Sequence, residues 1–260
     1  MENVLYNKKE KINIKKFDIS KLIIYFAFYS FLGFCFESIF GIFSKGVLES
    51  RQSFLFGPFC AIYGIGSILM IYFLTPFKNN NFILFFGSCI IGAISEFAMS
   101  YICEIYFHFK WWDYSTNMLN IDGRTCLFFA VIWGILGLLL IKYVNPKVDY
   151  LINKIKYKTP KKVFNFAIFG LTLFLFIDIV LSNFALKYFY AKISIDYNLP
   201  NSNYTTEKIS YLSNYELLSE ENLLKVYPNL RIAGTDMNNT FVDSLYNSGK
   251  TYYIKFFNKN

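Results

Sequence analysis

The sequence predicts an all-α, polytopic membrane helix bundle of about five transmembrane helices, with a small extracytoplasmic C-terminal appendage. Three observations carry that prediction. Of the 260 residues, 55% are apolar and 21% aromatic, while only 17% are charged; average soluble domains carry about 25% charged residues. Mean hydropathy is +0.34. Five apolar stretches are long enough to cross a bilayer as helices, which takes about 20 residues. None shows the two-residue alternation of a transmembrane barrel. This composition excludes an ordinary soluble domain, a disordered chain and a fibrous repeat.

The elements follow in order. Residues 1–21 read as a basic cytoplasmic N-terminus carrying Lys8, Lys9, Lys11, Lys15, Lys16 and Lys21. The apolar segments lie near 22–43, 56–75, 82–107, 126–144 and 163–190, and 22–190 together form the transmembrane domain. The first is an anchor rather than a cleavable signal: its run of about 22 apolar residues exceeds the usual core and no A-x-A site follows. Within the second, Gly57-Pro58 breaks a helix or opens one, because proline is favoured in the first helical turn. The last helix is expected to run from Val163 to Ile195, roughly 50 Å at 1.5 Å per residue, ending as a projecting stalk. The tail, 191–260, is expected to hold short helices at Thr205–Leu212 and Glu220–Tyr227. Ser219 would cap the second, with Glu220 and Glu221 in its first turn. A hairpin is expected where Phe241–Tyr246 and Thr251–Phe256 flank Asn247-Ser248-Gly249-Lys250.

Charge sets the orientation. The net charge is +8. With the N-terminus inside, segments 1–21, 76–81 and 145–162 carry six, one and six basic residues, and loops 44–55 and 108–125 carry two each. That asymmetry obeys the positive-inside rule. Five crossings place the tail outside, where its seven basic and seven acidic residues balance. The basic excess suits anionic lipid or loops held on one side; no basic patch on a soluble fold offers itself to nucleic acid. Cys35, Cys60, Cys89, Cys103 and Cys126 are scattered without C-x-x-C spacing, which argues against a disulfide framework or a zinc site.

Acidic residues inside apolar spans carry the functional signal. Glu37, Glu96, Glu104 and Asp178 lie within or near the edges of such spans, where a charge at the bilayer centre costs at least about 2.5–3.5 kcal/mol. At 100° per residue, Ser30, Gly33, Glu37, Gly41 and Ser44 form one small-and-polar stripe. Gly92, Glu96, Ser100 and Cys103 form another, and Asp178 shares a face with Ser182. Two readings are open: a polar cavity between the first, third and fifth helices, or protonated carboxyls acting as interhelical glue.

Two segments are dense in special residues. In 51–66, Arg51 stands where it can reach a carboxylate or a lipid phosphate, and Tyr63 follows Gly57-Pro58; the alternative is a plain helix start with an interfacial arginine. In 110–124, Trp111, Trp112, Asp113, Tyr114, Ser115, Asn120, Gly123 and Arg124 form either a cap folded over the cavity or a plain external loop with an internal salt bridge. Arg124 would pair with Glu96, Glu104 or Asp113. The candidate cavity or substrate-binding set is therefore Glu37, Glu96, Arg51, Asp113, Tyr114, Ser115, Asn120, Arg124 and Tyr63, with Glu104, Asp178 and Ser182 secondary. No residue is assigned a catalytic or metal-binding role, and no cofactor is called for. His108 is the only histidine and reads as an interfacial side chain.

These segments resemble the bacterial membrane family designated ABC transporter type IV, or CmpB. The matching pieces are Gly33 with Glu37, then Arg51…Leu55-x-Gly57-Pro58-x-Cys60-x-Ile62-Tyr63-Gly64-x-Gly66, Glu96, Trp112-Asp113-Tyr114-Ser115 and Asn120-x-x-Gly123-Arg124; Asp178-x-x-x-Ser182 is in keeping. The likeness covers about residues 22–190, and the Trp-Asp-Tyr-Ser…Gly-Arg block is its most specific part. This chain departs from the family pattern at Ser50-Arg51-Gln52, where Asn-Arg-Gly is common, and at Ala61, where proline is common. The resemblance implies a multi-pass protein of the bacterial inner, or cytoplasmic, membrane, and a transporter whose substrate is not specified. The chain has no G-x-x-x-x-G-K-[ST] loop, so it is not the motor. It reads as a permease beside a separate ATPase subunit docked on 145–162, working as a homodimer among membrane lipid. Two alternatives stay open. One is an intramembrane enzyme acting on a lipid or lipid-linked substrate, using the buried carboxylates, Arg51, Arg124 and Tyr114 for acid–base chemistry. The other is a non-catalytic sensor or scaffold acting through the tail.

Overall fold

The computed structural model describes residues 18–196, 206–233 and 254–255. Lys8 to Lys16 and the expected hairpin, apart from Ile254 and Lys255, lie outside the described residues. Helix α1, Ile19–Lys45, ends at Gly46, whose φ of 75° forms a left-handed cap, its amide donating to the Ile42 carbonyl at 2.9 Å. Helix α2, Ala61–Leu74, runs into a 3-10 turn, Thr75–Phe77, opened by Pro76. Asn80 caps α3, Asn81–Phe107, by accepting from the Ile83 amide at 3.1 Å. Helix α4, Leu127–Leu139, continues through a π turn, Leu140–Val144, into α5, Asn145–Lys158. The wide turn accommodates Pro146, whose ring would clash with a carbonyl in a regular helix. Helix α6, Lys161–Asp196, has 36 residues. In the tail, α7 is Thr206–Leu212 and α8 is Glu220–Val226; Ser219 accepts from the Asn222 amide at 3.2 Å, the cap the sequence implies.

Four helical stretches are long and apolar enough to cross a membrane: Ile19–Ser44, Asn81–Phe107, Leu127–Lys158 and Lys161–Ile195. The segment expected at 56–75 is helical only from Ala61, and with its 3-10 turn forms the shorter apolar helix Ala61–Phe77. The physical reason lies in residues 49–60, which form irregular chain instead of helix. Their backbone groups are met sideways. Ser182 Oγ accepts from the Leu55 amide at 2.6 Å, Asp178 Oδ1 from the Phe56 amide at 2.9 Å, and the Phe59 carbonyl from the Ser53 amide at 2.7 Å. The Cys60 amide donates to the Ser30 carbonyl at 2.9 Å, about 22 Å below the end of α1 at 1.5 Å per residue. The segment thus descends beside α1, and non-helical backbone at that depth is tolerated because protein groups satisfy it.

Two cores divide the described residues. One gathers Tyr25, Tyr29, Met70, Leu84, Trp133, Ile141 and Val148 between α1, α2, α3 and the α4–α5 rod. The other surrounds the far half of α6, where Ala185, Leu186, Tyr188 and Phe189 pack against Leu223, Leu224 and Ile232 of the tail. The expected bare stalk is therefore a mast wrapped by the tail, because its outer residues are apolar on more than one side. Two short antiparallel pairs fasten the tail. Strand β1, Val47–Leu48, pairs with β4, Ile254–Lys255, and β2, Phe109–Lys110, pairs with β3, Arg231–Ile232. At the opposite end of the bundle, Lys21 pairs with Asp149 at 2.7 Å, Tyr25 also donates to Asp149, and Lys156 pairs with Asp18 at 2.8 Å.

Candidate functional site

A cavity of about 910 Å³ lies at the tail end of the bundle. Its walls are α1, the start of α2, α3, the start of α4, α6, the 49–60 segment, the loop after β2 and the chain from Tyr227 to Arg231. This is an enclosure between the first, third and last long helices, within the range typical of ligand pockets.

Glu37 reaches the cavity surface from α1, and Tyr63 Oη donates to its Oε1 at 2.6 Å. The sequence permits that approach through Gly33, one turn below Glu37, because a Cβ there would overlap the Tyr63 side chain. One turn above Glu37, Gly41 leaves room for the Arg51 guanidinium; a Cβ at Gly41 would sit 2.9 Å from Arg51 Nη2. Arg51 reaches a carboxylate, as expected: Nη2 donates to Glu49 Oε1 at 2.7 Å. Glu49 is only 4% exposed. Nothing in the sequence singled it out, since a loop carboxylate two residues from an arginine is ordinary in solvent.

Glu96 is buried behind the cavity surface, and Thr125 Oγ1 donates to its Oε2 at 2.8 Å. Asp113 and Tyr114 line the cavity from the loop after β2. The Tyr114 ring stacks on Phe129 with centroids 4.5 Å apart. Burial first, then the Glu96 and Glu37 carboxylates, push the Tyr114 phenol well above its ordinary value, so it stays a proton donor beside two acids.

Ser115 and Asn120 hold the loop together. The Ser115 amide donates to Asp113 Oδ1 at 2.9 Å, Asn120 Nδ2 donates to the Ser115 and Asn117 carbonyls, and Asn120 Oδ1 accepts from the Gly123 amide at 3.1 Å. Trp112 Nε1 donates to the Arg124 carbonyl at 2.8 Å. Of its three expected partners, Arg124 takes Glu104, at 2.6 Å, and its guanidinium lies 5.3 Å from the centre of the Tyr101 ring. It faces α3 rather than the cavity. Asp178 caps the Phe56 amide, and Ser182 both caps the Leu55 amide and lines the cavity.

The structure therefore gathers Glu37, Arg51, Asp113, Tyr114 and Ser182 on one surface, with Tyr63 and Glu96 behind it. Ser115, Asn120, Arg124, Glu104 and Asp178 brace that surface from outside it. The tail contributes residues the sequence did not flag. Tyr227, Asn229 and Arg231 close one wall, and Asn229 Nδ2 donates to the Ser50 carbonyl at 3.2 Å. A two-residue strand pair carries no sequence signal that would have found them. His108 caps α3 in the left-handed region, φ 59°, with its ring against Tyr190. Among the described residues no three His, Cys, Asp or Glu side chains converge as metal ligands do.

The enclosure can hold a molecule with an apolar body, offering it carboxylates, guanidinium groups and aromatic walls. No curated protein and no solved structure matches this chain. The family described as "Putative ABC-transporter type IV" matches residues 24–183, from within α1 through α2 to α5, the 49–60 segment and the loop after β2 into α6, where it includes Asp178 and Ser182. With more than half of its length matched, the chain belongs to that family.

Proposed function

We propose that the chain is the membrane-embedded permease subunit of an ABC-type transporter whose ATPase is a separate polypeptide. It sits in a bacterial cell membrane with the N-terminus in the cytoplasm and the tail outside. The observation that carries this reading is the cavity in which Glu37, Arg51 and Asp113 share one enclosure with aromatic walls. Glu37 binds the cationic or donor part of the cargo, or a proton. Arg51 and Asp113 order the mouth.

Helix α5 is the element that an ATPase would grip. Lys147, Lys154 and Lys158 are exposed on it, and it is one continuous rod with α4. A push on that rod reaches Trp133, whose ring lies 5.0 Å from Tyr63, the donor to Glu37. The Asp149 bonds to Lys21 and Tyr25 give it a second route into α1. A bundle of five helices is half a pathway, so two copies work together.

Purification in mild detergent tests the reading. An ATPase should co-purify with the parent chain and be lost when Lys147, Lys154 and Lys158 are changed to glutamate. Glu37→Gln should keep the ATPase and the folded yield but abolish cargo-stimulated ATP hydrolysis. An isolated chain carrying a lipid that is chemically altered on incubation would replace this reading with the intramembrane enzyme. Loss of folded protein in Glu37→Gln would make that carboxyl structural.

A further inference from the structure

We infer that the cavity, taken as the binding site proposed above, is built for an oxyanion carried on an apolar body: a phosphate or carboxylate headgroup with a hydrophobic tail. The carrying observation is a set of donors left over in its walls. Arg51 Nε and Trp111 Nε1 are each buried and make no hydrogen bond among the described residues, Tyr227 Oη is buried beside the Ser182 hydroxyl, and all three residues line the same cavity. They come from three separate elements: the 49–60 segment, the loop after β2 and the tail. A buried donor without an acceptor is costly, and native structures keep few of them. Two N–H groups that can only donate, with a phenol in the same lining that can donate as well, call for an acceptor with several oxygen lone pairs.

Phosphate and carboxylate are the groups that offer this, and a guanidinium is their usual partner. Arg231 supplies a second guanidinium in the same wall. Arg51 Nη2 donates to Glu49 Oε1 at 2.7 Å, while Arg51 Nε makes no hydrogen bond among the described residues. The remaining walls set the rest of the ligand. Phe26, Phe54, Ile62, Ile65 and Phe129 make a lining that a small hydrated anion would not fill. Glu37, an acceptor in the same lining, then faces a hydroxyl or ammonium of the headgroup rather than its oxyanion.

Native mass spectrometry and thermal-shift titration of the full chain in mild detergent test this with three probes. They are dioctanoyl phosphatidylglycerol, dioctanoylglycerol, which lacks the oxyanion, and inorganic phosphate, which lacks the body. The expected result is retention of one dioctanoyl phosphatidylglycerol per chain and little retention of the other two. Tyr227→Phe keeps the ring and removes one donor; Trp111→Phe keeps an aromatic side chain but removes the indole N–H together with part of the packed ring. Each should weaken phosphatidylglycerol binding about two- to tenfold, the span expected for one net hydrogen bond. Unliganded Tyr227→Phe should melt close to the parent, whereas Trp111→Phe should melt lower because it also gives up packed ring area.

Donor-dependent binding of inorganic phosphate as well would keep the oxyanion and assign it to a free solute. The inference is overturned if both phenylalanine variants bind phosphatidylglycerol like the parent, if dioctanoylglycerol binds equally well, or if no probe binds and the donors are met by water alone. ATPase co-purification is a separate readout. Its retention beside a failed lipid test leaves a permease with different cargo, and its loss beside donor-dependent binding leaves the ligand class without the permease.

Discussion

Asp178 has no exposed surface, yet its Oδ1 and the Ser182 hydroxyl accept amide hydrogens from a loop more than a hundred residues earlier in the chain. Asp178→Ala removes the acceptor and leaves the Phe56 amide unpaired in a low-dielectric setting. It should cost about 1–3 kcal/mol in reversible unfolding in detergent. Asp178→Asn keeps an acceptor oxygen and should cost clearly less; equal losses for both would mean that the carboxylate is not acting as a cap. The helical wheel correctly placed Asp178 and Ser182 on one face. It could not say that this face meets irregular backbone, because a wheel describes one helix and is silent about its neighbour. Glu104 and Arg124 illustrate the same limit. Three carboxylates were open to Arg124 by sequence, and the fold chose the one on the outer turn of α3.

Helix α5 is a connecting segment by sequence and a rigid extension of α4 in the structure. Its pattern of Val148 and Ile152 facing α1, with lysines on the free side, is too short for a span and too polar for a hydropathy search to register. The far end of α5 is tied to α1 by Lys156 and Asp18. The hydrogen bond from Lys156, joined by its charge, holds the Asp18 carboxyl below its ordinary value. A folded value lower than the unfolded one means that this tie contributes fully above about pH 4, the usual aspartate value, and is lost as pH falls through the folded value. Amide protection in the last turn of α5 should therefore stay level from about pH 5 to 8 and decline below about pH 4. Lys156→Met should erase the dependence, and an unchanged acid profile in that variant would count against the tie. The pair is partly exposed, so the change is local rather than global.

At the scale of the whole molecule, the ends of α1 and α3, the 49–60 segment and the tail share one face, while Asp18, Lys21, Asp149 and Lys156 mark the other. The orientation proposed above, from lysine counting, puts the second face in the cytoplasm. In a background with the five native cysteines replaced, Ser210→Cys in intact cells should react with a membrane-impermeant maleimide. Lys154→Cys should react only after permeabilisation. The reverse pattern would invert the orientation, and labelling of both in intact cells would deny that the bundle separates the two faces.

Composition and periodicity were enough to establish a helical membrane bundle, the Ser219 cap and the two short helices on either side of it, because apolar length and capping chemistry are local properties of the chain. The candidate acids were legible for the same reason: a carboxylate in an apolar run stands out against its neighbours. What the sequence left open was which groups meet. Only the folded chain turned residues 49–60 away from helix, sent Arg51 over Gly41 toward Glu49, moved Arg124 off the cavity and brought Tyr227, Asn229 and Arg231 in from the tail. Each of those contacts joins segments far apart in the chain or depends on a neighbour's shape. Their free energy resides in pairs of surfaces, and a single strand of sequence describes one surface at a time.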